Sequence, residues 1–274
     1  MYSSHSQQEG HSPQEGFSLI ELSIVLVILG LLTGGILTGQ SLIRSSELRA
    51  VTTESTEFAT AINTFKGKYF AIPGDMNNAT AFWGAAHATP ASCIGAAGTG
   101  KQTCNGNGNG NLDVLNGASQ YSEMFTFWQH LANAGLTEGS YTGRGGSGNP
   151  QHHILGTNAP TSKLPGAGWL ATWAGTFPGN AMSYALQYDN FLEIGGATTN
   201  DFPFNPILTP EEAWNIDTKV DDGKPAQGKV VSRYWNNLCS AADVVGSSAN
   251  NNLVASYRVQ DTAAQCTLMF RQFF

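Results

Sequence analysis

The chain has 274 residues, room for one good-sized globular domain beyond an anchor segment. Only 12% of its residues are charged and the net charge is -7, which argues against a nucleic-acid partner, because such partners select a basic surface. Glycine is frequent, at 32 residues, and Asn-rich stretches recur, so long irregular connections are expected between the regular elements.

The first predicted element is an apolar helix. From Leu22 to Ile43 the polar side chains are Ser23, Thr33, Thr38, Gln40 and Ser41, and no charge follows until Arg44. About 20 residues at about 1.5 Å each cross a hydrocarbon core of about 30 Å. A buried soluble helix seldom stays apolar all round for so long. A secretory signal peptide needs a basic leader and a shorter core with a small-residue cleavage site after it. Here the leader lacks Lys and Arg and the core is too long, although small residues do follow it in LTGGILTG. Glu21 stands near the start of the run. Acids inside membrane helices cost roughly 3 kcal/mol at the centre and are usually paired and functional.

Gly16, Phe17, Ser18, Leu19, Ile20, Glu21 and Leu22 spell GFSLIEL. This stretch resembles the N-terminal signature of type IV prepilins and type II secretion pseudopilins. The resemblance implies that a prepilin peptidase cuts after Gly16, that Phe17 becomes the N-methylated first residue, and that the apolar helix stays with the mature protein. The new ammonium at Phe17 would lie one helical turn from Glu21, in its own chain or in a neighbouring subunit. Such a charge pair is suited to setting register between subunits. The leader departs from the usual pattern: it carries Glu9 and Glu15, while Arg44 and Arg49 follow the helix, so the positive-inside rule alone would orient it backwards. Where many pilins have a mid-helix proline, this chain has Gly30, Gly34, Gly35 and Gly39, at spacings that permit close helix approach.

Beyond the apolar run, Leu48, Val51, Ser55, Phe58, Ile62, Phe65 and Tyr69 recur at intervals of three and four, the stripe of a helix with one packed face. AIPGD, with Pro73 and Gly74, is expected to end it. The domain reading is therefore a leader at 1–16, a transmembrane or filament-core helix at 17–43, its amphipathic continuation at 44–72, and a periplasmic globular domain at 73–274. YFAIPGDMNNATAFWG follows, with Asp75 read as a turn or cap residue and Phe82 and Trp83 as cover for a sheet.

CNGNGNGNLD mimics a calcium loop. Asn105, Asn107 and Asn109 take the leading ligand positions, Gly110 the turn and Leu112 the apolar plug. The ligands are neutral amides, Asp113 is the one acid within the loop, and Asn116 stands where a bidentate Glu closes such loops. A plain Gly-Asn turn is the favoured reading, and calcium is the one candidate cofactor. A helix is predicted over about Ser119–Ala134, with Phe125, Trp128, Leu131 and Leu136 on one face, Gly135 as C-cap and His130 as a satisfied core histidine. His152 and His153 form a poor metal site.

AMSYALQYDNFLEIGG reads as a strand, with Met182, Tyr184, Leu186 and Tyr188 alternating. Thr209, Pro210 and Glu212 form a capping box at the start of a short helix. Asp217, Asp221 and Asp222 cluster with Lys219 and Lys224, read first as a turn and second as a loop cation site. Leu253–Val259 and Cys266–Phe273 are expected to form a hairpin that finishes the sheet. The four cysteines allow three pairings; Cys93–Cys104 and Cys239–Cys266 are favoured because each closes a short loop outside the cytoplasm.

The expected fold is α+β, a pilin-like lollipop with one long N-terminal helix packed on a small antiparallel sheet whose loops are tied by disulfides. The expected function is structural, with no catalytic residues. The chain would be a pilin or pseudopilin subunit, single-pass in the bacterial inner membrane and then part of a filament. Expected partners are prepilin peptidase, other pilin or pseudopilin subunits, the inner-membrane assembly platform and membrane lipid. Two rivals differ in class. One is a membrane-anchored enzyme using the acids of Asp217 to Asp222. The other is a minor pilin or adhesin holding a glycan or surface ligand through Trp169 and Trp173 of GWLATWAGTF.

Overall fold

The computed structural model describes residues 16, 18–89, 93, 98–113, 123–147, 149, 151–177, 182–233, 238–241 and 254–274. The chain divides into two compact units, with the boundary between Ser45 and Ser46. Its first element, α1 (Leu19–Tyr69), is a helix of 51 residues. In the second unit α1 buries Val51, Ser55, Phe58, Ile62 and Phe65 of the expected stripe and Glu54 and Ala61 besides, while Leu48 and Tyr69 at its ends are partly buried. The helix ends at Tyr69, ahead of the AIPGD turn, because Phe70 adopts φ 53°. That left-handed conformation costs a non-glycine residue roughly 1–2 kcal/mol.

The sheet that receives α1 is antiparallel, with strand order β1-β4-β8-β5. In chain order the strands are β1 (Ala167–Trp173), β2 (Thr176–Phe177), β3 (Leu186–Gln187), β4 (Asn190–Gly196), β5 (Val230–Ser232), β6 (Ser240–Ala241), β7 (Ser256–Tyr257) and β8 (Leu268–Arg271). Trp169 pairs with Ile194, Leu192 with Phe270, and Val230 with Phe270, so these side chains share the inner face. They join Phe58, Ile62 and Phe65 of α1 in one core. Phe58 meets Trp128 edge-on at 5.0 Å and Trp169 at 5.4 Å.

Among the described residues three further helices follow: α2 (Thr80–Trp83), α3 (Glu123–Asn133), which packs on β1, and α4 (Pro210–Val220), which packs on β5. Every residue of α3 from Glu123 to Leu131 is buried. Its end is a Schellman turn: Leu136 N–H donates to the Leu131 carbonyl at 2.9 Å and Gly135 N–H to that of Ala132 at 3.0 Å, with Gly135 at φ 72°. The expected start of this helix at Ser119 lies outside the described residues. The α4 capping box is complete, Glu212 N–H donating to Thr209 Oγ1 at 3.2 Å and Thr209 N–H to Glu212 Oε2 at 2.9 Å.

Two strand expectations are corrected. The alternating run ending in Tyr188 is not one strand: β3 and β4 are separate, and Asp189 between them sits at φ 52°. An aspartate tolerates this left-handed position better than most residues. Nor do the last two runs form a hairpin. Strand β7 pairs with β6 in a two-stranded sheet, whereas β8 lies between β4 and β5. The apolar LMFR segment is buried throughout and has a neighbour on each edge, which a terminal hairpin strand would lack. Disulfides join Cys93 to Cys104 and Cys239 to Cys266.

Candidate functional site

The N-terminal segment is built from Ser18 upward. Ser18 Oγ accepts the N–H of Ile20 at 3.3 Å, and Glu21 Oε2 accepts the N–H of Ser18 at 2.8 Å. This is the reciprocal capping of an S-x-x-E sequence. The Glu21 carboxylate also sits at the positive end of the helix dipole. Gly16 is exposed, and Phe17 lies outside the described residues.

Beyond the cap, Ile20 to Leu37 present exposed apolar side chains, and the first part of α1 is long and apolar enough to cross a membrane, with a mean hydropathy of 2.4. The hydroxyl groups in this run are satisfied inside the helix. Thr33 Oγ1 donates to the Leu29 carbonyl at 2.9 Å, Thr38 Oγ1 to that of Gly34 at 3.0 Å and Ser41 Oγ to that of Thr38 at 2.9 Å. Hydrocarbon demands this, since it offers no partners of its own. A Cβ at Gly30, Gly34, Gly35 or Gly39 would meet nothing in the chain. The glycines therefore answer no contact within the subunit, and leave a surface on which a second helix can come close.

A second cluster surrounds the asparagine loop. Asp75, from the PGD turn, accepts three backbone N–H groups: Gly108 at 2.7 Å and Asn109 at 3.0 Å on Oδ1, Gly110 at 2.9 Å on Oδ2. Glu123, the first residue of α3, accepts Asn107 N–H at 2.8 Å and Asp113 N–H at 2.9 Å. Asp113 Oδ2 takes the side-chain amides of Asn107 at 3.0 Å and Asn109 at 2.7 Å. The amide oxygens of Asn107 and Asn109 fold back on the N–H groups two residues on, and Asn105 Oδ1 accepts Thr80 N–H at 2.8 Å. Burial pushes the Glu123 carboxyl up to about 7 against the pull of its two N–H donors, and the charges of Asp75 and Asp113 add to the rise. Burial raises Asp75 too, with its three N–H donors opposing. Three acids thus organise a loop whose sequence offers only one. Asn116 lies outside the described residues.

His130 ties the same region to the helix. Its Nδ1 accepts Gly74 N–H at 2.9 Å, which leaves the proton on Nε2, facing Thr103 Oγ1 at 3.0 Å. Burial pushes its pKa down to about 3. His153 lies buried between Phe125 and Phe202, its ring centroid 4.6 and 5.6 Å from theirs, away from any metal-holding group among the described residues.

Oxygens of Asp217, Asp221 and Asp222 do come together, within 4.8 Å of one another. Each carboxylate already has a protein donor. Asp217 accepts Tyr257 Oη–H at 2.9 Å and Gly223 N–H at 3.3 Å, Asp221 accepts Val230 N–H at 3.2 Å, and Asp222 accepts Lys224 N–H at 2.9 Å. The arrangement is that of a turn closing α4 onto β5. The tryptophan platform is not formed either: Trp169 is fully buried, and only Trp173, 38% exposed, reaches the surface.

Sequence reasoning missed Glu54. Its carboxylate is buried on the packed face of α1 and accepts Ser162 Oγ–H at 2.6 Å, Lys163 N–H at 2.7 Å and Trp169 Nε1–H at 2.8 Å. The S-x-x-E cap at Ser18 was legible and also passed over.

Residues 11–37 match the family model of the prokaryotic N-terminal methylation motif. The matched span contains Gly16, Phe17 and Glu21 and supports the prepilin and pseudopilin signature. No curated protein and no solved structure matches the chain.

Proposed function

We propose that the chain is a structural subunit, a pilin or pseudopilin, of a type IV pilus or a type II secretion pseudopilus. The observation that carries this is the methylation motif set at the mouth of an exposed apolar helix whose hydroxyls are internally satisfied. Prepilin peptidase would cut between Gly16 and Phe17, the helix would hold the subunit in the inner membrane with the globular unit in the periplasm, and an assembly platform would pass it into a helical filament. In the filament the exposed apolar side chains find one another, and the glycines let neighbouring helices approach. Glu21 pairs with a neighbour's terminal ammonium and so fixes the stagger.

Intact mass and N-terminal sequencing of the membrane-extracted protein test the reading. A chain that begins at methylated Phe17 is expected. A chain that begins at Met1, or one cut after the apolar run, sinks it. The asparagine loop is read as a structural turn with calcium its one candidate ligand. A thermal midpoint that rises with calcium and falls back with chelator would mark binding through Asn105, Asn107, Asn109 and Asp113.

A further inference from the structure

The face of the sheet turned away from α1 contains a cavity of about 200 Å³. Its walls are Leu170 of β1, Phe191 of β4, Met269 of β8, and Tyr188 and Phe202 from the loops, with Trp173 and Phe177 at the rim. Cavities near this size that are lined by aliphatic and aromatic groups accept a single benzene-like ring. Aromatic walls favour a flat aromatic occupant through edge and offset contacts, and the Met269 sulfur adds a further favourable ring contact.

The lining also holds Gln151, Thr172, Ser183 and Arg233, with Arg233 Nη1 donating to Ser183 Oγ at 3.2 Å; Arg233 and Thr172 set what the ring must carry. Arg233, in the lining, is held by both oxygens of Glu193 behind it, with Nη2 to Oε2 at 2.8 Å, so its charge is already neutralised. A charged ligand would find no free counter-charge there. Thr172, also in the lining, is 5% exposed, and its Oγ1 has no hydrogen-bond partner. An unmet buried hydroxyl on a strand facing a cavity is costly, and it asks for one partner.

We propose that this cavity is a binding site for a small uncharged monocyclic aromatic molecule bearing one hydroxyl-type group, which the Thr172 hydroxyl meets. The site lies on the face of the sheet opposite the α1 packing surface.

The test uses the full chain in lipid nanodiscs with labelled methionine methyls, titrated with phenol and, separately, with toluene, which has the same shape without the hydroxyl. The Met269 methyl signal should shift saturably with both, while Met76, buried in the main core, stays still. Half-saturation with toluene should need roughly tenfold more free ligand than with phenol, the worth of one hydrogen bond. In Thr172→Val the two ligands should become equal, through weaker phenol binding and unchanged toluene binding. No saturable shift at Met269 with either probe would overturn the proposal. So would equal binding in the unmodified chain, or a preference for phenol that survives in Thr172→Val.

Discussion

Glu54 holds its helix to β1 and the loop before it by three hydrogen bonds made across more than a hundred residues of chain. Glu54→Ala leaves the buried Trp169 indole N–H without its acceptor and frees the part-buried Lys163 N–H, so a loss of roughly 1–3 kcal/mol is expected. Denaturant unfolding would show it, and Glu54→Gln should recover part of the loss. Asp217 gives a pH signature. Burial lifts its carboxyl from about 3.8 to about 7, against the Tyr257 hydrogen bond. A raised carboxyl favours the protonated folded state, so its contribution is full below about 3.8 and is lost as pH climbs through about 7. The gain in thermal midpoint of Asp217→Asn over the parent is therefore expected to be larger at pH 8 than at pH 5. Equal gains at both would show that the carboxyl ionises normally. Thr172→Val removes an unmet buried hydroxyl and should raise stability by about 1 kcal/mol. These residues differ in how far the sequence announces them. Thr209 with Glu212 is a local pattern and was readable. Glu54 lies one helical turn before Phe58, but its partners are remote, and nothing local names them.

At the scale of elements, the helices were legible and the sheet was mostly not. The stripe of α1 and the cap of α4 follow from spacing alone. Strand β1 is buried from Ala167 to Thr172 and β4 along its whole length, because α1 covers one face and the start of α3 with loops the other. A strand buried on both faces loses the alternation that would reveal it. The glycines that end β4 were also silent in sequence. A Cβ on Gly195 would stand 2.0 Å from the Pro203 carbonyl oxygen, backbone that cannot step aside cheaply. Gly195→Ala is expected to cost roughly 1–3 kcal/mol as an overpacking strain and to lower the thermal midpoint. The asparagine loop shows a related gap. Its own residues suggested weak ligands, while its organising carboxylates, Asp75 and Glu123, come from the flanking turn and helix.

For the whole molecule, the two disulfides differ in what they join. Cys93–Cys104 closes 11 residues beside the asparagine loop, and Cys239–Cys266 spans 27 and links the β6–β7 pair to the approach of β8. Loop-closure entropy gives about 2.8 kcal/mol for the shorter and about 3.6 kcal/mol for the longer. Replacing Cys239 and Cys266 by serine should therefore lower the unfolding midpoint more than replacing the other pair. The α+β plan was legible as a whole because one long helix and one run of apolar segments dominate the composition. The exchange of β7 and β8 between sheets was not, since both segments are short and strand pairing is decided by burial far along the chain.

The cap at the head of α1 has a consequence for maturation. Every group in it, the Ser18 amide and hydroxyl, the Ile20 amide and the Glu21 carboxylate, lies on the far side of Phe17 from the leader. A cut at Gly16 would then leave the first turn of the helix as it was. Precursor and product would share one helical start, and what the cut adds to it is the ammonium at Phe17. The membrane would hold the same helix before and after, now with a charge at its head.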